Sequence, residues 1–136
     1  MPHELKEGPE SIELSATAPG REELFRAVLE AVLEAAYRGK PEGRGDGRFV
    51  PVQAAGMDDE DLLAGLAEDL LRAVREEPGT LLPPRWLAFD ERRVTANLPL
   101  LAPKAEARAL VLADARLVPS ESGLAARLEL VPGVAG

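Results

Sequence analysis

Residues 105–114 have the sequence Ala-Glu-Ala-Arg-Ala-Leu-Val-Leu-Ala-Asp, and residues 124–131 have the sequence Leu-Ala-Ala-Arg-Leu-Glu-Leu-Val. In both runs apolar side chains recur at every second position, which is the period of a β-strand. The first run is apolar on both sides in its C-terminal half, and this pattern is typical of a strand inside a sheet. Residues 120–123, Ser-Glu-Ser-Gly, have the composition of a turn. Together these features predict a C-terminal β-hairpin with one buried face.

Strand patterns also occur earlier in the chain. Residues 11–18 alternate apolar and polar side chains, as expected of a strand with one solvated face. Residues 49–54 form a second, short candidate, in which Pro51 indicates that one edge lacks a ladder partner. Asp-Glu-Arg at residues 90–92 predicts a hairpin turn, and an alternating run follows it to Leu100.

Two segments have the periodicity of amphipathic helices. The first begins after Gly20, the expected N-cap, and ends at Gly39. The second begins in the acidic run of residues 58–61 and ends at Pro78-Gly79. Consecutive acids suggest a metal site, but the spacing of a calcium loop is missing. An N-cap carboxylate followed by first-turn charges, which the helix dipole favours, explains the run without a cation.

The order of these elements predicts an α+β fold. Strand, helix, strand, helix and then four strands favour a two-layer domain, with two amphipathic helices packed on one face of a mixed or antiparallel sheet. We expect a single domain over residues 11–132, preceded by a flexible N-terminus at residues 1–10. A chain of 136 residues is long enough to bury one core. Trp86, between apolar neighbours, is expected in that core rather than as an interface anchor.

The composition excludes several classes of function. The chain has no cysteine, so disulfides, zinc thiolate sites and cysteine nucleophiles are ruled out. Its single histidine, His3, lies near an end that we expect to be loose, which is poor support for a catalytic triad or a metal site. Twenty-four acidic and sixteen basic residues give a net charge of −8, which argues against a broad surface for phosphate.

The sequence also carries hints about location and stability. No apolar run is long enough for a signal peptide or a membrane span, so we expect a cytoplasmic protein. The abundance of proline and arginine is typical of a heat-stable protein. We expect a monomer or a weak homodimer that would use a strand edge near Pro51 or Pro99.

Residues 38–48 are rich in glycine and in basic side chains, and we expect them to form a mobile loop. The basic residues are candidates for contact with RNA phosphate or with an acidic partner, and a solvated connector is the simpler interpretation. These basic residues are Arg38, Lys40, Arg44 and Arg48.

Three segments resemble the archease family, small cytoplasmic α+β proteins that assist the tRNA-splicing RNA ligase in its metal- and GTP-dependent activation. Residues 12–25, Ile-Glu-Leu-Ser-Ala-Thr-Ala-Pro-Gly-Arg-Glu-Glu-Leu-Phe, resemble the family's first strand and helix start. Residues 59–71, Asp-Glu-Asp-Leu-Leu-Ala-Gly-Leu-Ala-Glu-Asp-Leu-Leu, resemble its second helix. Residues 103–109, Pro-Lys-Ala-Glu-Ala-Arg-Ala, resemble the strand that carries a Lys or Arg and then a Lys-Ala pair.

The resemblance implies a non-catalytic accessory protein that binds a protein partner, an RNA ligase of tRNA splicing or RNA repair being one candidate. It marks Lys104 and Arg108 as candidate partner contacts, although exposed strand charges paired with Glu106 are an equally simple interpretation. No direct nucleic-acid binding overall and no membrane binding are expected.

The sequence departs from the family at the metal ligands. The family's His-Thr-Ala-Asp motif aligns with Gly-Pro-Glu-Ser at residues 8–11, its C-terminal Asp aligns with Val131, and its Thr-Tyr-His aligns with residues 111–113. The resemblance therefore implies a divergent member without the metal site, without a cofactor and without enzymatic activity. One alternative is a factor that depends on a divalent metal held by relocated carboxylates, from Glu10, Glu13, Asp114 or Glu129. A small enzyme of unknown type is the other alternative.

Overall fold

The computed structural model describes residues 3–121 and 123–133 of the chain. In chain order its elements are β1 (His3–Glu7), β2 (Ile12–Ala18), α1 (Arg21–Tyr37), β3 (Phe49–Ala55), α2 (Asp59–Glu76), β4 (Thr80–Leu81), β5 (Trp86–Asp90), β6 (Arg93–Leu101), β7 (Leu110–Ser120) and β8 (Gly123–Pro132). The predicted α+β class is confirmed, and β1 and β4 are additions to the predicted order.

The strands form two antiparallel sheets rather than one. The first sheet has the order β1-β2-β8-β7, and in the second sheet β6 pairs with β3, β4 and β5. Alternating hydrophobicity reports which face of a strand is buried, but it does not report which strand lies beside it. The division into two sheets was therefore outside the reach of the sequence pattern.

The predicted C-terminal hairpin is formed by β7 and β8, whose turn follows Ser120 as expected. Ser122 of that turn lies outside the described residues. The strand begins at Leu110, and a bulge at residue 113 shifts the register between Leu112 and Asp114. Because β7 ends the order of the first sheet, the expectation of a strand inside a sheet is wrong. Its solvent side carries Val118, which is 53% exposed.

Residues 3–7 form β1, so the expectation of a flexible N-terminus is wrong for these residues. The strand pairs with β2 from His3 opposite Ala16 to Glu7 opposite Ile12. His3 Nε2 lies 2.8 Å from Glu34 Oε2 on α1, and the His3 side chain is only 12% exposed. The strand is mostly polar, so hydrophobic periodicity could not reveal it, and its ladder with β2 holds it in place. Residues 1 and 2 lie outside the described part of the chain.

Both helices begin and end where the sequence predicts. Gly20 is the N-cap of α1, and Arg38 ends it in the left-handed conformation, with Gly39 N–H donating to Glu34 O at 3.0 Å. At the start of α2 the carboxylate of Asp58 accepts a hydrogen bond of 2.8 Å from Asp61 N–H. The acidic run therefore begins with an N-cap, as predicted.

One core joins both helices to both sheets. Helix α1 packs on β1, β2 and β8, helix α2 packs on β3, β6 and β7, and the helices contact each other. At their junction the rings of Phe25 and Phe89 meet edge to face, with centroids 5.1 Å apart. The guanidinium of Arg21 lies 4.2 Å from the centroid of Phe89 and 3.0 Å from Asp59 Oδ1. These contacts tie the N-terminal ends of the two helices together.

Trp86 is 47% exposed, so the expectation that it lies in the core is wrong. Strand β5 alternates, and its inward positions are taken by Leu87 and Phe89. The apolar neighbours that suggested burial are the residues that are buried, and the tryptophan faces the opposite side.

Within the described residues, no helix combines the length and the apolar composition needed to cross a membrane.

Replacing Asp58 by Ala removes the side-chain cap of α2. Because Asp61 N–H would lose its acceptor, we expect the free energy of unfolding to fall by about 1 kcal/mol. Urea denaturation followed by circular dichroism measures this change. Glu68→Gln, on the exposed side of the same helix, is the matched control and should change stability by less than about 0.5 kcal/mol. Equal effects of the two substitutions would contradict the capping role.

Candidate functional site

Lys104 and Arg108, the candidate partner contacts, lie on a segment that crosses the C-terminal ends of both helices. Lys104 Nζ donates a hydrogen bond of 2.7 Å to Arg75 O in the last turn of α2. Arg108 Nε donates to Ala35 O at 3.0 Å, and Arg108 N–H donates to Ala36 O at 2.8 Å. The last carbonyl groups of a helix have no partner inside it. Both residues therefore have a structural role. Because Arg108 N–H bonds to Ala36 O rather than to a neighbouring strand, β7 begins only at Leu110.

Arg108 also supplies charge where α1 lacks it. The last turn of α1 has no basic residue, and the guanidinium of Arg108 puts a positive charge at the negative end of the helix dipole. Arg108 Nη2 lies 2.5 Å from Glu7 Oε1, so this residue joins α1 to β1 as well. The sequence suggested Glu106 as the ion-pair partner, and the structure places Glu7 there instead.

Lys104 remains exposed beside a cleft of about 440 Å³. Val74, Arg75 and residues 104–109 line this cleft, which lies next to the C-terminal end of α2. An exposed ammonium and the carboxylate of Glu106 flank an apolar floor of Val74 and Ala107. Arg108 itself is largely occupied by its contacts with α1 and Glu7.

Residues 8–11, which align with the family's His-Thr-Ala-Asp motif, line a second cleft of about 350 Å³, whereas Val131 and residues 111–113 do not line it. It is lined by residues 8–12, Arg38, residues 108–110 and Pro132. Glu10 is the acidic residue of the lining and Arg38 and Arg108 are its basic residues, and the guanidinium of Arg108 is already paired with Glu7. A divalent cation prefers several oxygen ligands, and two positive side chains oppose its entry. These residues therefore do not fit the metal of the archease family.

Three of the four proposed relocated ligands lie in one row across the first sheet. Glu13 is opposite Glu129, and Glu129 is opposite Asp114, on the solvent side. Asp114 Oδ2 is engaged by Arg116 Nε at 3.3 Å, and Glu10 lies outside the row. Among the described residues, no group of three acidic or histidine side chains is arranged to hold a metal ion. The strand register places these three carboxylates in one row, but they are not arranged to bind a single metal ion.

The acidic start of α2 is engaged in contacts within the chain. Asp59 pairs with Arg21, Glu60 Oε2 accepts a hydrogen bond of 2.9 Å from Leu117 N–H, and Asp61 Oδ2 accepts one of 3.2 Å from Met57 N–H. Together with the cap from Asp58, these bonds give each carboxylate of the run a partner, and the run needs no cation to explain it.

The glycine-rich loop after α1 is fixed at its C-terminal part. Asp46 N–H donates to Leu100 O, and Leu100 N–H donates to Arg48 O, each at 3.0 Å. Two hydrogen bonds of 2.5 and 2.9 Å join the guanidinium of Arg48 to the carboxylate of Asp46. This contact lowers the pKa of Asp46 to about 2. Arg48 is thus committed to Asp46, whereas Arg44 lines a surface cleft.

The solvent side of the second sheet exposes two aromatic rings, a feature that the sequence analysis missed. We call the surface formed by Phe49, Pro51, Trp86 and Asn97 the aromatic face. Pro51 and Trp86 flank Asn97 in one row, and Phe49 lies opposite Pro99 in the next. Phe49 and Trp86 are each 47% exposed. The available signal was that Phe49 precedes the inward Val50 and Trp86 precedes the inward Leu87.

At one end of the aromatic face lies a cleft of about 530 Å³. Its charged lining consists of Arg44 and Arg85, and the remaining lining is Gly43, Gly45, Gly47, Phe49, Leu82, Pro83 and Pro99. The backbone of Arg85 is fixed by a hydrogen bond of 2.8 Å from its N–H to Asn97 O. The cleft therefore combines an aromatic ring with positive charge.

Comparison with solved structures shows that the fold has a precedent. The solution structure of Methanobacterium thermoautotrophicum protein 1598, a structural-genomics target, has a TM-score of 0.63 to this chain at 16% sequence identity. The match covers 96% of this chain and 98% of that one. No protein-family model and no curated protein matches the sequence. The likeness extends over nearly the whole chain and is consistent with an archease-like fold, and at this identity it speaks for the fold alone.

Replacing Arg108 by Met keeps the aliphatic stem and removes the guanidinium. We expect a loss of about 1.5 to 3 kcal/mol of unfolding free energy, because the substitution leaves Ala35 O without its charged donor and Glu7 without its pair. Chemical denaturation measures the loss. Arg116→Met, at an exposed ion pair on the first sheet, is the control and should cost less than about 1 kcal/mol. A neutral Arg108→Met would contradict the capping role.

Replacing Arg48 by Gln should raise the pKa of Asp46 from about 2 toward its ordinary value of 3.8. The sign follows from the ion pair, which favours the charged carboxylate and is lost as pH falls from 3.8 toward 2. Carboxyl carbon shifts in an NMR titration measure the pKa directly. An unchanged titration of Asp46 in the variant would show that Arg48 is not the cause.

Proposed function

We propose that this chain is an archease-like accessory protein without catalytic activity, which acts through a protein partner in RNA processing. The candidate partner is an RNA ligase of tRNA splicing or RNA repair. One observation carries the proposal: an archease-like framework spans the chain, while the cleft at residues 8–11 presents two guanidinium groups and the carboxylate of Glu10. A protein built this way is suited to act by contact rather than through a bound cation.

His3 links two elements of the fold. Its Nε2 is held by Glu34 at 2.8 Å, and this contact fastens β1 to α1. The imidazole is thus placed as a structural link between two elements.

The proposed contact surface is the cleft beside Lys104. Lys104 and Glu106 are exposed there, at the end of α2, and Val74 and Ala107 form an apolar floor. A small apolar floor with a polar rim is the common anatomy of a protein interface. Arg108 contributes by holding the segment against α1, so it acts as a positioning residue for this surface.

Co-elution of the purified chain with the RNA ligase of the same organism tests the partner. We expect a complex in size-exclusion chromatography, and we expect Lys104→Glu to weaken it at least tenfold by reversing a charge at the cleft. Arg116→Glu, a charge reversal on the first sheet, is the matched control and should leave the complex intact. Absence of a complex with the unaltered chain would overturn the proposed partner.

Calorimetric titration with Mn²⁺ or Mg²⁺ tests the metal-dependent alternative. We expect no binding heat up to about 1 mM metal, because the cleft at residues 8–11 carries two guanidinium groups. Stoichiometric binding that disappears in Glu129→Gln would instead favour a metal-dependent factor that uses the carboxylate row. Glu68→Gln, away from that row on α2, is the control for this variant.

A further inference from the structure

The aromatic face differs in charge from the rest of the molecule. The chain carries 24 acidic residues and a net charge of −8. The solvent-side positions of β3, β5 and β6 nevertheless hold a single acidic residue, Asp90, which lies at the hairpin turn opposite Arg93. The adjoining cleft adds Arg44 and Arg85. Positive charge is therefore concentrated beside two exposed aromatic rings.

We propose that the aromatic face binds single-stranded RNA. Unpaired bases would stack on Trp86 and Phe49, and phosphates would pair with Arg44 and Arg85 in the cleft. An open sheet that presents aromatic rings beside arginines is a general solution for binding single strands, because each base has a π-face and each phosphate carries a negative charge. A duplex hides the faces of its bases, so it cannot use this surface.

The spacing of the rings favours an extended strand over a small ligand. Phe49 and Trp86 lie on the two strands that flank β6, in rows two residues apart. Strand spacing and rise place their Cα atoms roughly 12 Å apart. One base cannot stack on both rings, so each ring takes a separate base of one chain.

Polar side chains lie along β6, in the row of Trp86 and in the row beyond it. Asn97 separates Trp86 from Pro51, and Thr95 separates Ala88 from Gln53. These amide and hydroxyl groups can donate to and accept from a 2′-hydroxyl, which is the group that distinguishes RNA from DNA. This chemistry favours RNA over DNA as the ligand.

A second copy of this chain fits the face poorly. In a two-fold symmetric dimer the patch meets itself, and an axis through its centre places the two arginine clefts at opposite ends. The arginines of each cleft would then have no anionic partner on the other copy. An anionic chain complements the same arginines.

The expected affinity is modest. Two stacked bases and a few phosphate contacts give a dissociation constant on the order of 10 µM at low salt. The acidic remainder of the surface repels the strand, which confines binding to this face. The net charge of −8 argues against a broad phosphate-binding surface over the whole molecule, but it allows binding at one local face. The inference does not depend on the protein partner proposed above.

Trp86 is the single tryptophan of the chain, so its fluorescence reports on the face directly. We expect an oligouridylate of about 10 nucleotides to quench this fluorescence in a saturable way at about 50 mM salt. Inorganic polyphosphate, which has charge but no bases, should leave the fluorescence unchanged. A matched RNA duplex and a DNA strand of the corresponding sequence should bind at least fivefold more weakly.

Three variants separate stacking from charge. Phe49→Ala keeps the fluorophore and should raise the dissociation constant roughly tenfold. Arg85→Gln should weaken binding and lower the slope of log affinity against log salt by about 0.7. Val118→Ala, an exposed apolar residue on the first sheet, is the control and should bind as the unaltered chain does. Circular dichroism verifies that each variant is folded.

Several results would overturn the inference. These are an absence of quenching up to about 100 µM RNA, equal quenching by polyphosphate, or Phe49→Ala that binds RNA as tightly as Val118→Ala. Equal affinity for the DNA strand would overturn the assignment to RNA. A concentration-dependent dimer that is lost in Phe49→Ala would assign the face to a second copy instead. Loss of ligase co-elution in Phe49→Ala, with RNA affinity unchanged, would assign it to a protein.

Discussion

One segment that is distant in sequence bonds to carbonyl groups at the C-terminal ends of both helices. Lys104 bonds to the end of α2, and Arg108 bonds to the end of α1 through its side chain and its backbone. At the opposite ends of the helices, Arg21 joins α1 to Asp59 and to the ring of Phe89. The helices are thus held at both ends, and the sheets pack around a fixed pair.

This arrangement decides which surfaces remain available. In the segment at residues 104–108, Lys104 and Arg108 donate hydrogen bonds to the helix ends, and Lys104 and Glu106 are exposed. Arg108 of the same segment also lines the cleft at residues 8–11. With Arg38 it gives this cleft two basic residues and one acidic residue, Glu10. The second sheet is formed by different strands, β3 to β6, and its solvent side exposes Phe49 and Trp86. The cleft beside Lys104 and the aromatic face therefore have different lining residues.

The sequence predicted the helices well because their signals are local. Gly20, Asp58 and Gly39 mark helix ends through their own backbone or side-chain chemistry. The β7–β8 turn is similarly local. Strand β1 was not predicted because its stability comes from pairing with β2. The exposure of Trp86 was not predicted because it depends on which face of β5 packs against the core. The candidate site was the least predictable part, since the role of Arg108 is defined by carbonyl groups some seventy residues earlier.

The bond from Leu117 N–H to the carboxylate of Glu60 has a consequence for self-association. Strand β7 is an outer strand, and its unpaired backbone groups would otherwise template the addition of a foreign strand. A helix side chain already occupies one of these donors, so an incoming strand must displace a charged acceptor before it can form a continuous ladder. The first turn of α2 thereby protects this edge strand against the edge-to-edge pairing from which fibres grow.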